Sequence, residues 1–515
     1  MPNIYHVTAT QVNSFASANP RLLIATGIAV SLITWLVVSN IRQWLRLRHF
    51  PGPPIAGFSK WWLLRHELGG NMISDLADVT NKYGSFVRIA PNLVITDDPK
   101  FWKQHVLNVR TTYQRSNWYY GMRFDPKRDN ILSTRDDALH NQLRSKMAAG
   151  YSGREVENLQ PKLDQVVLAF MKLLENKYIA ANKPFDLATK AQYFTMDAIS
   201  QIAYGQPFGF LTKDADVYEY IHTLHTNIAS VIWGSVYPWI IDVAGSPIFR
   251  GLVPSAKDVV GFGKIMGIVK ETAAERFGPN KKVQKDMLGS FIAHGLNQTE
   301  AESEIILQIL AGSDTTATAI RSTMLYAITN PRVVSSIRAE LDAAGILTPT
   351  DTASDEQIIS DAASRALPYM QAVIKEGLRI HPPIAPLMSK VVPPGGDNWN
   401  GVHFPAGTEV GYSGFSMMRR RDVFGEDADE FRPERWLDSE PEKIKEMEGT
   451  TDLIFGHGRW QCLGRSIAFI ELNKVFVELF RRFEFTLVDP SHPWKSDNMG
   501  IFRQSDLWIR GYKRS

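Results

Sequence analysis

The sequence FGHGRWQCLG at residues 455–464 is the most informative segment of the chain, because it places three glycines around one cysteine. Glycines at these positions let the backbone approach a flat, bulky partner closely. Apolar residues then recur at helical spacing from Ala468 to Phe483, which predicts that Cys462 lies at the N-terminus of a helix. There the helix dipole and free N–H groups are expected to lower the pKa of the thiol and to stabilise a thiolate.

Cys462 is the chain's one cysteine, which excludes an internal disulfide and every zinc or iron–sulfur site built from several cysteines. The thiol could be buried in a glycine turn, act as a redox sensor, or serve as a nucleophile with His457 as its base. It could also ligate a haem iron. A sensor would need a resolving cysteine, and haem ligation in a loop that excludes water explains more of the pattern.

The composition is that of an ordinary globular protein, with 515 residues, 44% hydrophobic and 22% charged. The 57 Lys and Arg residues against 54 Asp and Glu residues give a net charge of +3. A balance this close to neutral offers no basis for a nucleic-acid partner. Residues 55–515 contain no internal repeat and no second long apolar span, so we interpret them as one large domain.

Residues 22–41 are uncharged and mostly apolar, and about 20 such residues span a bilayer core. Three arginines follow within residues 42–48, whereas Arg21 alone precedes the segment. The positive-inside rule then predicts a short lumenal N-terminus at residues 1–21, a transmembrane signal anchor at 22–41 and a cytosolic main domain. Residues 42–54 form a basic flank that ends in a stiff elbow, Pro-Gly-Pro-Pro. The alternative is a cleaved signal peptide, whose apolar core would be shorter.

The rest of the chain predicts a mainly α fold with a minor β-sheet region. The segments 86–90 and 93–96 are rich in β-branched residues and predict a hairpin, and alternation over 483–487 predicts a strand. The longest helix is expected to run from Thr299, which forms a capping box with Glu302, to Thr329 before an Asn-Pro stop.

The middle of that helix carries AGSDTT at residues 311–316, an unusual polar insertion between apolar turns. Gly312 is expected to loosen the helix at this point. A buried acid, Asp314, beside the alcohol of Thr315 is typical of a proton relay. A solvent-facing polar stripe on the helix would give the same sequence pattern. A second helix, 367–380, places Glu376 and Arg379 three residues apart, which by itself indicates a routine ion pair.

These features occur in one order along nearly the whole chain: anchor, proline elbow, hairpin, long helix, Glu-x-x-Arg, FRPERW at 431–436 and the cysteine loop. In that order they resemble the microsomal cytochromes P450, which are haem-thiolate monooxygenases. The resemblance implies Cys462 as the axial ligand of the haem iron, and Asp314 with Thr315 as the pair that activates oxygen. It also implies that Glu376, Arg379 and Arg435 lock the core behind the haem.

The residues that would hold the haem propionates depart from the usual pattern. The family commonly has Arg or His two residues before the cysteine, where this chain has Trp460, with Arg459 one place earlier. In the helix that often carries Trp-x-x-x-Arg, His140 replaces the Trp and Arg144 is kept. Propionates need cations or hydrogen-bond donors, so we assign these four residues to haem binding. The family motif adds Phe455 at the start of the loop.

The resemblance implies haem b as cofactor, NADPH as electron source through a partner reductase, and a small apolar substrate. With the anchor, it implies a single-pass protein of the endoplasmic reticulum membrane, similar to filamentous-fungal enzymes of secondary metabolism. One alternative is a haem-thiolate isomerase or dehydratase that does not activate O₂, against which the Asp314–Thr315 pair argues. Another is a membrane-anchored haem protein without turnover. The aromatic segment 231–243 could pack in the core, line a substrate channel or touch the membrane.

Overall fold

The computed structural model describes residues 20–249, 251, 253–346 and 356–514. Helices dominate the architecture, as predicted, and the β-structure is confined to small sheets. The helices of the first half are α1 (Pro20–Leu47), α2 (Trp61–Leu68), α3 (Met72–Tyr83), α4 (Pro99–Phe101), α5 (Asp137–Tyr151), α6 (Leu159–Leu173), α7 (Leu187–Tyr204), α8 (Phe210–Lys213), α9 (Tyr220–Val236) and α10 (Trp239–Ala244). Those of the second half are α11 (Gly261–Phe277), α12 (Met287–Ala293), α13 (Gln298–Ile328), α14 (Pro331–Ala343), α15 (Asp361–Arg365), α16 (Pro368–Ile380), α17 (Gly414–Met417), α18 (Arg421–Phe424), α19 (Arg435–Asp438), α20 (Pro441–Thr451) and α21 (Arg465–Arg482).

The strands form four sheets among the described residues. They are β1 (Phe86–Ala90), β2 (Leu93–Thr96), β3 (Gln114–Arg115), β4 (Phe185–Asp186), β5 (Lys390–Val391), β6 (Asp397–Trp399), β7 (Val402–Phe404), β8 (Glu409–Tyr412), β9 (Phe483–Leu487), β10 (Lys495–Asn498), β11 (Phe502–Ser505) and β12 (Trp508–Lys513). The largest sheet has the order β1-β2-β8-β5-β3, and the others are β4-β12-β9, β10-β11 and β6-β7.

The predicted hairpin and C-terminal strand are confirmed. Strands β1 and β2 pair antiparallel with Phe86 opposite Thr96, and β9 pairs with β12. The hairpin buries nearly every side chain of β1 and β2, which suits their β-branched residues. In β9, Phe483 is buried, Phe485 and Leu487 are partly buried, and Thr486 between them is exposed, which agrees with the predicted alternation.

The long helix is also confirmed, but its predicted N-cap is wrong. Helix α13 begins at Gln298, and the Asn297 side chain accepts the N–H of Glu300 at 2.9 Å. The Glu300 carboxylate in turn accepts the N–H of Asn297 at 3.0 Å, which completes a capping box two residues earlier than the one predicted from Thr299 and Glu302. Asparagine caps a helix at least as well as threonine, so the helix begins at the earlier pair, Asn297 and Glu300.

Helix α1 contains the predicted apolar segment and continues six residues beyond it. Leu23–Leu47 is long and apolar enough to cross a membrane. Its last turn belongs to the globular domain, because Leu47 is fully buried and Arg46 donates to the carbonyl of Ala406 at 2.9 Å. The elbow is therefore shorter than the flank predicted at 42–54. The proposed lumenal segment 1–21 lies almost wholly outside the described residues.

The core is centred on α13, which packs most extensively against α7 and also contacts α16 and α21. Buried apolar side chains of these helices, such as Phe194, Ile320 and Leu479, form one continuous cluster. The polar residues of α13 therefore lie deep in the protein. The cysteine loop joins the same core immediately before α21.

Candidate active site

The loop before α21 folds back on itself through its glycines. Gly456 and Gly458 have φ values of 72° and 58°, in the left-handed region that favours glycine. A Cβ atom on Gly456 would lie 2.6 Å from the carbonyl oxygen of Trp460. This close return lets the Phe455 carbonyl accept the N–H of Cys462 at 2.7 Å and fixes the position of the cysteine.

The Cys462 side chain retains solvent-accessible area, yet protein surrounds it closely enough that burial raises its pKa. The backbone N–H groups of Gly464 and Arg465, at the start of α21, and the charge of Arg144 oppose this rise without reversing it. The expectation of a lowered pKa is therefore wrong for the polypeptide alone. The helix-end effect exists, but desolvation of a charged sulfur is larger.

Trp460 lies at the centre of a cluster of cations. The Lys390 Nζ atom lies 3.3 Å from the centre of its ring, and the guanidinium carbons of Arg115 and Arg459 lie at 4.4 and 4.9 Å. The His140 and Trp460 rings are 4.5 Å apart. Burial, reinforced by the charge of Arg115, lowers the pKa of His140 to about 3, so this imidazole is neutral at physiological pH.

Several buried donor atoms of this cluster have no hydrogen-bond partner among the residues that the structure describes. They are Nδ1 of His140, Nε1 of Trp460, Nε of Arg115, Nε of Arg459 and Nζ of Lys390. The Asp137 carboxylate pairs with Arg459, but one carboxylate does not balance the charges of Arg115, Lys390 and Arg459. Burying cations beside one another without enough anions is unfavourable, so a ligand with acidic oxygens suits this cluster. The two propionates of a haem are such a ligand, and a cysteine sulfur is a known axial ligand of haem iron. The residues present therefore fit the group.

The other predicted haem-binding residues lie around the same loop. Arg144 donates to the carbonyl of Gln461 at 2.6 Å, directly before the cysteine. Arg459 pairs with Asp137 at 3.1 Å, and the Phe455 ring packs on Phe469 with centres 5.5 Å apart. Arg144 and Phe455 thus support the loop, whereas His140, Trp460 and Arg459 meet in the cation cluster.

The Asp314 side chain faces α7. It is 4% exposed, and the Gln192 amide donates to its Oδ1 atom at 3.1 Å. Burial raises its pKa to about 6, against the opposing charge of Arg321 and the bond from Gln192. An acid with this pKa can both take up and release a proton near neutral pH.

Thr315 lies on the other side of the same turn. Its hydroxyl donates to the carbonyl of Ala311 at 2.7 Å, and Ala311 is exposed on this side of α13. The expected loosening at Gly312 is wrong, since α13 is continuous from 298 to 328. Gly312 instead admits a neighbouring helix, because a Cβ atom there would lie 3.0 Å from Cδ1 of Ile199 on α7.

The structure brings Glu376, Arg379 and Arg435 together with no exposure at any of the three. The Glu376 carboxylate accepts Nη2 of Arg379 at 2.7 Å, Nε of Arg435 at 2.9 Å and the indole N–H of Trp436 at 2.9 Å. The remaining guanidinium hydrogens reach backbone carbonyls, among them those of Met418, Ala428, Glu430 and Phe424. Arg435 also pairs with Asp427 at 3.0 Å, so each guanidinium has a carboxylate partner.

Sequence reasoning missed Arg115 and Lys390. They lie directly opposite each other on the paired strands β3 and β5, which are distant in sequence. Like charges in this position destabilise a sheet unless something neutral or anionic separates them. Each of these strands has two residues, which is too short for a periodic pattern to indicate a strand.

The family model and the similar proteins all indicate the same protein family. The family model described as Cytochrome P450 matches residues 51–507. The chain is 42% identical over 503 residues to Cytochrome P450 monooxygenase ABA1 of Pyricularia oryzae, covering 95% of this chain and 97% of that protein. It is 36% identical over 471 residues to Cytochrome P450 monooxygenase aba1 of Botryotinia fuckeliana (90% and 91%), and 35% identical over 478 residues to Cytochrome P450 monooxygenase abl1 of Leptosphaeria maculans (90% and 82%).

Proposed function

This chain belongs to the cytochrome P450 family and is a P450 monooxygenase, and from that premise we propose that it oxidises a small apolar natural product in fungal secondary metabolism. The electrons come from NADPH through a partner reductase, and the reaction is a hydroxylation or a related oxidation. The relatives named above are monooxygenases of fungi, which supports this class of pathway. The observation that carries the proposal is the open cation cluster beside the cysteine loop.

In the proposed arrangement, the Cys462 sulfur would ligate the haem iron. The propionates would be bound by His140, Trp460 and Arg459, together with Lys390 and Arg115, because these residues carry the unpartnered donors that suit an acidic ligand. Arg144 and Phe455 hold the loop in shape. When bound, the haem supplies the binding of O₂ and the redox chemistry, and the chain supplies the sulfur, the anion site and the protons.

The distal residues supply protons in this proposal. Asp314 exchanges protons with the interior at near-neutral pH, since burial raises its pKa to about 6. Thr315 passes them on through its hydroxyl, which must turn from the Ala311 carbonyl to do so. A haem-thiolate isomerase or dehydratase that does not use O₂ has no need of this acid and alcohol, so the pair favours the monooxygenase.

We place the protein in the endoplasmic reticulum membrane, with one span and a cytosolic catalytic domain. The apolar side chains of α1 are exposed along its length, for example Ile24 at 64% and Trp35 at 65%. Arg42, Arg46 and Arg48 at its C-terminal end agree with a cytosolic flank. The basic end is tied to the globular domain through Arg46, which would hold the domain close to the membrane surface.

The axial ligand is tested by the spectrum of the reduced carbonyl complex. A thiolate ligand gives this complex a red-shifted Soret band, and Cys462→Ala should abolish the band and all NADPH-dependent product formation with the reductase. His457→Ala is the control, because it removes the base that a nucleophilic cysteine would need and should leave the band in place. A thiolate-type band in Cys462→Ala would refute the ligand.

The anchor is tested by truncation before the tethered turn. Removal of residues 1–40 leaves Arg46 and the buried Leu47 in place and should release most of the protein from membranes with its haem spectrum intact. Removal of residues 1–19 alone is the control and should leave the protein membrane-bound. Partial release would assign a second contact to the exposed Trp233 and Trp239 of the 231–243 segment. Complete retention at high salt would contradict the anchor.

A further inference from the structure

A buried bridge of side chains connects Asp314 to an arginine two turns further along the same helix. The Gln192 amide of α7 donates to Oδ1 of Asp314 at 3.1 Å through its nitrogen. The oxygen of the same amide accepts Nη2 of Arg321 at 2.5 Å. Gln192 is 1% exposed and Arg321 is 1% exposed, so both bonds lie away from water.

The arginine fixes which way the amide faces. A guanidinium has donors and no acceptor, so the oxygen of Gln192 must face Arg321 and its NH₂ group must face Asp314. Arg321 is itself held in place, because its Nε atom donates to the carbonyl of Ala188 at 2.8 Å. Ala188 and Gln192 are one turn apart on α7, so the bridge is anchored to one helix face.

This orientation divides the two oxygens of Asp314 into different roles. Oδ1 accepts the amide N–H and cannot carry a proton toward the same group. The proton of the neutral acid is therefore confined to Oδ2, and one rotamer of the carboxyl is favoured.

We propose that Gln192, oriented by Arg321, is a positioning residue that fixes the protonated oxygen of Asp314 and sets the pH at which this acid releases its proton. The inference rests on the proposed function, in which Asp314 delivers protons. Neither Gln192 nor Arg321 contacts the reacting atoms in this proposal. Both act through Asp314.

Two titratable groups of α9 lie beside the bridge, and Asp186 adds a negative charge near Arg321. Tyr220 at the start of α9 is fully buried, and burial together with the nearby Asp314 and Asp216 raises its pKa. His225, one turn along α9, has its pKa lowered to about 4 by burial and by the charges of Arg321 and Arg503. Tyr220 Oη and His225 Nε2 are buried without a hydrogen-bond partner in the described part of the chain. Asp314 is thus the group in this cluster with a pKa near neutrality.

The sharpest test is Gln192→Glu in the full-length holoenzyme. The new carboxylate keeps an acceptor for Arg321, so a merely structural role is preserved, but it replaces the donor to Oδ1 with a negative charge. The pKa of Asp314 is then expected to rise by about two pH units. Gln192→Met removes the donor to Asp314 and the acceptor of Arg321 without adding a charge, and a smaller rise of about one unit is expected. The readout is an infrared titration of the carboxylic C=O stretch, assigned by its absence in Asp314→Asn.

Gln201→Met is the matched control, because Gln201 is a buried glutamine nine residues further along the same helix. The hydrogen bonds of the bridge join Asp314, Gln192, Arg321 and Ala188 and do not include Gln201. It should leave the titration unchanged. An unchanged Asp314 pKa in Gln192→Glu would overturn the proposal, as would an equal shift in Gln201→Met. If Gln192→Glu does not fold, Gln192→Met decides the outcome by the same criterion.

The pH profile of product formed per NADPH separates this inference from the proposed function. Its alkaline limb should move with the infrared pKa in both Gln192 variants. If the infrared pKa moves and the limb does not, Gln192 positions Asp314 but Asp314 does not deliver the protons, and the proposed role of Asp314 fails alone. If Asp314→Asn loses product per NADPH while neither Gln192 variant moves the pKa, the role of Asp314 stands and the inference about Gln192 fails.

Discussion

Two buried clusters of charge in this protein differ in whether their donors are satisfied. Around Glu376, the guanidiniums of Arg379 and Arg435 find a carboxylate or a backbone carbonyl for their hydrogens. Around Trp460, Lys390 is 1% exposed and its ammonium has no hydrogen-bond partner among the described residues. The first cluster has no capacity left for a ligand, so its role is structural. The second has donors to spare, and only an added anion completes it.

Breaking the closed cluster should have the largest effect on the molecule. Glu376→Gln turns an acceptor into a partial donor and leaves two buried guanidiniums without their shared anion, which costs about 3–5 kcal/mol. That loss is a large part of the stability of a typical domain. We expect little soluble protein and no haem-loaded fraction, measured as the yield of the reduced carbonyl complex.

Glu448→Gln is the control for that loss, because Glu448 forms a half-exposed pair with Lys375 at 2.5 Å. An exposed pair contributes under about 1 kcal/mol, so yield should hardly change. Normal haem loading in Glu376→Gln would show that the closed cluster is dispensable for folding, and its structural role would then be wrong.

Two buried lysines test the difference between closed and open clusters directly. Lys474 is fully buried and satisfied, since its ammonium donates to Asp164 at 2.6 Å and to the carbonyl of Ile359 at 2.8 Å. Lys390 is equally buried and unsatisfied. Lys474→Met should therefore lower the thermal midpoint of the holoenzyme. Lys390→Met should keep the helical circular dichroism signal and speed haem transfer to apomyoglobin about tenfold, the loss of one charge-assisted contact.

The opposite pattern would reverse the assignment. If Lys390→Met lowers the thermal midpoint as Lys474→Met does, and haem transfer is unchanged, then Lys390 is a structural residue that does not face the propionates. Arg115→Met separates the two readings further. This variant removes the cation that lies opposite Lys390 on the paired strand. If both cations bind the propionates, haem loss should also be faster in Arg115→Met.

The sequence predicted the closed cluster better than the open one. Glu376 and Arg379 are three residues apart on one helix, where helical geometry brings them together as an ion pair. Arg435 was added to this pair only through the family resemblance. The open cluster depends on β3 and β5, two-residue strands whose pairing joins distant parts of the chain. Local patterns contain no information on such a pairing. For the same reason His140 and Trp460 could be assigned only through the family resemblance.

Predictions from local effects alone, on the pKa of Cys462 and on the helix at Gly312, were wrong where burial and packing oppose those effects. The helix start at Arg465 does favour a Cys462 thiolate, yet desolvation raises the pKa. Gly312 suggested a loosened turn from helix propensity alone, whereas its reason lies in the approach of Ile199 from α7. In both cases the deciding term is tertiary packing, which no residue pattern within one segment reports.

Asp314 belongs to a third cluster, whose polar groups are satisfied less completely than those of the closed cluster and more completely than those of the open one. One oxygen is satisfied by Gln192, and burial still raises the pKa from 3.8 to about 6. Between these two values the folded protein retains a proton that the unfolded chain has lost. Stability therefore falls as pH rises through this window, and the loss is complete above pH 6.

Asp314→Asn removes that loss, because an amide does not ionise. The variant should be more stable than the wild type at pH 8 by on the order of 2–3 kcal/mol, and the difference should shrink toward pH 4. Thermal midpoints of the holoenzyme at pH 5 and pH 8, at one scan rate, measure this. Asp129→Asn is the control of opposite sign, since pairing with Arg123 lowers the pKa of Asp129 and its loss should destabilise at pH 8. A gain for Asp314→Asn that is equal at both pH values would mean that the ionisation of Asp314 is not its source.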